Sequence, residues 1–191
     1  MTKLFSFLLI IFFTASGTHA SSGMGEERRR ELERDVNQQF IDDAMQKIVA
    51  YQGEIHALTL ENRRYAVGYA SALIADKTPA WLERQTSKGR FSEQDYYRAI
   101  SNMMSFLSTL ASDAEMNDAA KCHERESRAL YKKSQGGKYV SPACRMQAYA
   151  HRMAGLIRWD KTNGAKPVKE IVGKWVKAVM LASLLIGESN E

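Results

Sequence analysis

The chain has few of the residues that punctuate or cross-link proteins: of 191 residues, three are proline, two are cysteine and three are tryptophan. Two cysteines permit one disulfide at most, which excludes both a disulfide-dense scaffold and a four-thiolate zinc site. β-Branched runs are scarce, and no Asn-Gly or Asp-Gly turn joins alternating segments, so hairpins and a sheet are not expected. Catalytic signatures are missing too. There is no H-E-x-x-H, no G-x-S-x-G, no glycine-rich phosphate loop and no metal-spaced Cys/His cluster. Neither a metal nor a cofactor is expected.

The first twenty residues read as a leader. Lys3 supplies a positive start, Leu4 to Phe13 is apolar except for Ser6, and Thr18-His19-Ala20 ends on the small residue that a cleavage site needs. The apolar run is about ten residues, half of the ~20 that a membrane-crossing helix requires. The expectation is a signal peptide over 1–20, a short flexible segment over 21–25 and a single helical domain over 26–188. The compartment would be the bacterial periplasm or the cell exterior.

Helical periodicity is plentiful. Leu32, Val36, Phe40, Ile41, Ala44, Met45, Ile48 and Val49 recur in steps of three and four, predicting a first helix over 26–51 with one apolar face. A second is expected from Glu54 to Ala75, either separate from the first or continuous with it through Gly53; Ala66, Tyr69, Ala70, Leu73 and Ile74 form its packing face. Thr78-Pro79 then predicts the opening of a separate short turn, because proline suits the first helical position. Ser92 followed by Asp95 forms a capping box, with Phe91 and Tyr96 placed as a hydrophobic staple. It predicts a helix to about Ser112, followed by another to about Gln135. Gly136-Gly137 ends that one, and Ser141-Pro142 opens the next. A last helix runs from Pro167 to about Gly187. The fold class is all-α: a single-domain bundle of five to seven helices with one disulfide.

An exported chain with two cysteines is expected to join them, so Cys122 and Cys144 are read as a disulfide. A tight helical hairpin would not bring Cys144, in the first turn of its helix, opposite Cys122. The segment from Gly136 to Ala143 must therefore run back along the preceding helix, with the disulfide pinning it there.

Charge is unevenly spread. Between Lys132 and Lys177 there are eleven Lys or Arg against Asp160 and Glu170, whereas residues 21–131 are net acidic by about three. In the last helix Lys166, Lys169, Lys174 and Lys177 share one side, and together with Trp175 they are the candidate binding residues. Beyond Lys177 the sequence AVMLASLLIG is apolar all round, which predicts burial in the bundle or, alternatively, a self-association surface. Tyr139, Tyr149, Trp159 and Trp175 interleave with the basic stretch, yet no nucleic-acid motif accompanies them and nucleic acid is not expected.

No catalytic constellation emerges. His56, His123 and His151 have the settings of surface or satisfied-core histidines. His123 and Glu126 share a helix side, where the default is a surface ion pair. The functional expectation is non-catalytic binding to a protein partner in the envelope, as an immunity protein or as an accessory subunit of a secretion or conjugation apparatus. The alternatives are an enzyme acting on peptidoglycan and a binder of anionic lipid or polysaccharide.

Overall fold

The computed structural model describes residues 22–86, 92–144 and 166–186. They form α1 (Ser22–His56), α2 (Leu60–Thr86), α3 (Glu93–Asp113), α4 (Asn117–Ser134) and α5 (Lys166–Leu185), with no strand among the described residues. The all-α expectation holds. The leader lies outside the described residues, as do Phe91, Tyr149, His151, Trp159 and the turn near Gly89.

The chain divides into a unit ending at Glu33 and a unit beginning at Arg34. The boundary falls inside α1, which runs from Ser22. Within the first unit, residues 25–33 are helical and exposed. In the second unit Ile41, Ala44, Ile48 and Ile55 of α1 are buried. The single apolar face expected for this helix is in fact two. At 3.6 residues per turn each step of four rotates by about 40°, so the series Leu32, Val36, Phe40, Ala44, Ile48 winds round the helix. Leu32, Val36 and Phe40 end up exposed, and Ala44 and Ile48 buried.

Gly53 does not interrupt α1, which ends three residues later. Thr59 Oγ1 accepts from the Asn62 N–H at 3.4 Å and caps α2. Pro79 lies inside α2 and does not begin a new turn. An interior proline forfeits a backbone bond and costs about 3 kcal/mol. Ile74, Thr78 and Leu82, spaced by four along α2, are all buried, and Thr78 Oγ1 lies 3.5 Å from Met103 Sδ. Burying one large aliphatic side chain contributes roughly 1.5–3 kcal/mol, so Ile74 and Leu82 together offset the proline. Packing carries the helix through.

The core is built from α2, α3 and α5, which pack on one another pairwise, while α4 packs along α3. The small-residue face of α2 behaves as its sequence implies: Ala66 and Ala70 are fully buried. On α5 the side carrying Val172, Trp175, Val176, Val179 and Ala182 is buried. The α3–α4 pair is antiparallel and joined by serines. Ser101 Oγ donates to Ser127 O at 2.8 Å, Ser127 Oγ donates to Ser101 O at 2.9 Å, and Ser108 Oγ donates to Ala120 O at 2.9 Å. Short hydroxyls that bond the facing backbone let two helices approach closely without leaving a buried polar group unmatched.

The cap at α3 has the geometry its sequence promises. Asp95 N–H donates to Ser92 Oγ at 3.2 Å, and Ser92 N–H donates to Asp95 Oδ2 at 2.9 Å. Partial burial pushes the Asp95 carboxyl up, but the Ser92 hydroxyl, the Ser92 N–H and the Arg98 guanidinium together hold it below the ordinary aspartate range. A depressed carboxyl contributes stability above its unfolded value, near pH 4, and loses it as pH falls through the folded value. Asp95→Ala should therefore cost about 1 kcal/mol at pH 7 in urea unfolding, and the deficit should shrink at pH 3. A deficit independent of pH would show that the box does not act through the ionised carboxylate.

Candidate functional site

Three places in the second unit gather polar chemistry: the segment after α4, a notch at the α3–α4 turn, and the outer side of α5.

The first begins where α4 stops. Gly136 takes φ +81°, the left-handed conformation that a side chain resists. Gly137 donates to Lys132 O at 2.9 Å, and a Cβ there would lie 2.7 Å from that oxygen. Both glycines are thus required by the reversal. The chain then returns along α4. Tyr139 Oη donates to Glu126 Oε1 at 2.6 Å, and Cys144 is bonded to Cys122 with Cα atoms 6.0 Å apart. Residues 137, 139 and 144 thus meet 132, 126 and 122 in descending order. A disulfide pins a returning strap against a helix, as the cysteine spacing implies. The helix expected after Ser141-Pro142 lies beyond the described residues.

Beneath this strap the sequence reading needs correction. His123 and Glu126 are 5% and 4% exposed, so they are not a surface ion pair. Nor do they make an open acid–base site. A proton-transfer residue must come within hydrogen-bond reach of substrate, and these two are sealed within the fold. Glu126 holds the strap through Tyr139.

The notch has a volume of about 400 Å3 and is lined mainly by Ser108, Thr109, Asp113, Asn117, Lys121 and Glu124. It holds two carboxylates, as a polymer-cleaving enzyme would require. Each is already engaged: Asp113 Oδ2 accepts from Gln52 Nε2 at 2.7 Å, and Glu124 pairs with Arg128. Arg63 Nη1 also donates to Asp113 O at 2.9 Å, binding the start of α2 to the end of α3. The notch is a joint between helices. Among the described residues no three His, Cys, Asp or Glu side chains gather as a metal cluster would, and no helix is long and apolar enough to cross a membrane.

The third place is the outer side of α5. Lys166, Lys174 and Lys177 are exposed and Lys169 is half-buried. Lys169 Nζ lies 5.5 Å from the Tyr69 ring centroid, and Lys174 Nζ 6.0 Å from that of Tyr51. Tyr69 is itself stacked on Tyr65, with centroids 6.0 Å apart. An ammonium over an aromatic face gains ~0.5–1 kcal/mol at an exposed site, enough to bias a flexible side chain toward one position. Trp175 does not join this surface. It is fully buried, because it falls on the side of α5 that packs inward with Val172 and Val179. Tyr51 and Tyr69 supply the aromatic component in its place. Nothing in local spacing could have picked them out, since they stand more than ninety residues from the lysines in the sequence.

The apolar end of α5 is largely in the core. Val179, Met180, Ala182 and Ser183 are buried, and Leu181 is the one large hydrophobic residue of the described helix exposed there. That leaves little apolar surface on α5 for self-association. Comparison with family models, with curated proteins and with solved structures finds no match to this chain.

The strap yields a coupling test. Replacing both cysteines by serine should destabilise the protein by about 3 kcal/mol, the loop-closure entropy of a ring this size. Tyr139→Phe should cost roughly 1–2 kcal/mol by leaving a buried carboxylate oxygen without that donor. Both act on one strap, so the triple variant should lose less than the sum. Strict additivity in chemical denaturation would mean that the two ties hold independent segments.

Proposed function

We propose that this is an exported, non-catalytic helical protein of the bacterial envelope that binds a protein partner through the outer side of α5. The observation that carries the reading is the row Lys166, Lys169, Lys174 and Lys177, interrupted only by Glu170, with two of its ammoniums seated on tyrosine rings. Such a surface favours a partner presenting carboxylates, because opposite fields steer encounter and fix orientation. The disulfide fits an oxidising compartment, and the leader-like N-terminus fits delivery there. An immunity protein against a toxin and an accessory subunit of a secretion or conjugation apparatus are the two roles of this kind. Among the described residues no arrangement of side chains favours an enzyme acting on peptidoglycan.

Capture of the tagged protein from mildly cross-linked envelope, compared with a variant carrying Lys→Glu at all four positions, tests the proposal. One near-stoichiometric protein partner is expected, with binding by the variant weakened roughly tenfold or more and its thermal unfolding little changed. A partner retained in full by the variant would sink this surface. Recovery of lipid or wall fragments in place of protein would favour the reading in which the same lysines hold an anionic polymer or membrane, and that attraction should fall steeply with salt.

A further inference from the structure

α4 carries a basic row of its own. Lys121, Arg125, Arg128 and Lys132 follow one another in steps of four, three and four, and all are exposed. At 100° per residue they fall within about 60° of one another, opposite the buried His123, Glu126, Leu130 and Ser134. At 1.5 Å per residue the row is about 16 Å long. A count along the chain hides it, since three of the four belong to the net-acidic stretch 21–131. Folding sorts the charges. Glu126 is turned inward to Tyr139, which leaves Asp118 and Glu124 at the edges of the exposed side. Glu124 pairs with Arg128, whose side chain is 76% exposed, and a solvated pair of this type is weak and readily traded. Lys121, Arg125 and Lys132 have no acidic partner among the described residues.

Two apolar side chains flank the row. Tyr131 is 54% exposed at one edge. The strap, tied to Cys122 and Glu126, borders the other. There Tyr139 turns in to Glu126, while its neighbour Val140 is 67% exposed and Lys138 is exposed.

We infer that this side of α4 rests on an anionic phospholipid surface, with the row against the phosphates and Tyr131 and Val140 in the headgroup layer. The charge is complementary, and each basic side chain close to such a surface strengthens binding about fivefold. Two of the four cations are arginines, whose planar fork takes a phosphate in two parallel bonds. The row on α5 has none. A hydrated polymer would leave Tyr131 and Val140 uncovered, whereas the edge of a bilayer takes in a tyrosine ring. An acidic protein would have to match the spacing of the row. Lipids move within their leaflet, so their phosphates gather under it without a matching pattern. This contact is separate from the partner proposed for α5 and does not depend on it.

Co-sedimentation with phosphatidylcholine vesicles, with and without about a third phosphatidylglycerol, tests this across ~25–300 mM salt. The purified protein should bind the anionic vesicles, ignore the neutral ones and come off as salt rises. Arg125→Glu with Lys132→Glu should weaken binding roughly tenfold or more. Lys47→Glu with Lys77→Glu, at exposed positions of α1 and α2, changes the net charge equally and should stay within about threefold of the original. Tyr131→Ser with Val140→Ser should weaken binding roughly threefold or more. All six positions are exposed, and unchanged circular dichroism would confirm that the fold survives. No binding to anionic vesicles at the lowest salt overturns the inference, as does equal binding to neutral ones. Equal loss in the two charge variants overturns it too, because the attraction would then belong to the whole molecule. An unweakened Tyr131 and Val140 variant overturns the bilayer as occupant and leaves the row to an acidic protein or polymer.

Discussion

Burial of one side of α5 fixes which of its residues meet solvent. Trp175 is the largest fully buried side chain among the described residues, and Val172, Val176, Val179 and Ala182 lie with it in the core formed with α2 and α3. Turning α5 about its axis would expose a tryptophan and several valines, at about 1.5–3 kcal/mol for each large side chain. Against that cost, a cation on a tyrosine ring contributes ~0.5–1 kcal/mol. The apolar side therefore sets the rotation of the helix. The lysines stand on the outer side because of what lies opposite them, and Tyr51 and Tyr69 refine where their ammoniums sit.

The α4 region shows a different kind of constraint. Its segment after Gly136 has no ladder or helix to hold it, so its position comes from three separate ties: a backbone bond at Gly137, a phenol–carboxylate bond at Tyr139 and a disulfide at Cys144. Each is of a different type, and the two hydrogen bonds would be weak alone in water. Burial changes that balance. Glu126 is 4% exposed, and a carboxylate withdrawn from solvent needs its hydrogen-bond partners far more than an exposed one does. The disulfide keeps the strap in place, and the strap keeps a donor on the carboxylate.

Local signals in the sequence were legible. The Ser92–Asp95 box and the Gly136-Gly137 stop follow from a few adjacent residues, the pairing of Cys122 with Cys144 from there being two cysteines behind a leader-like start, and all three appear as expected. Signals that depend on what packs against what were not. Pro79 reads as a helix start because its own backbone prefers that place, and only the burial of Ile74 and Leu82 carries α2 past it. Trp175 reads as part of a basic aromatic surface because it stands next to Lys174, yet adjacent positions on a helix point apart. Its contact with the core follows from that 100° step. The His123–Glu126 pair misled for a different reason: their spacing alone suggests a surface pair, whereas the returning segment expected from the cysteines comes down on Glu126, one turn after Cys122. The tyrosines under the lysines were beyond reach altogether, since they arrive from α1 and α2.

The candidate site on α5 differs from the other polar places in lying mostly at the exposed surface. Glu126 and Tyr139 hold the strap, Asp113 holds three helices together through Gln52 and Arg63, and the serines of α3 and α4 close a helix pair. Removing any of these would confuse loss of function with loss of structure. Lys166, Lys174 and Lys177 are exposed, and Lys169 and Lys174 lie over the faces of two tyrosines, contacts that each contribute little to stability. A run of like charges on one helix costs a little through mutual repulsion, and the core gains nothing from it. The packing of α5 is decided by its opposite side. The proposed attraction to a partner would account for the row, and that is the physical ground for placing the proposed function on this side of the molecule.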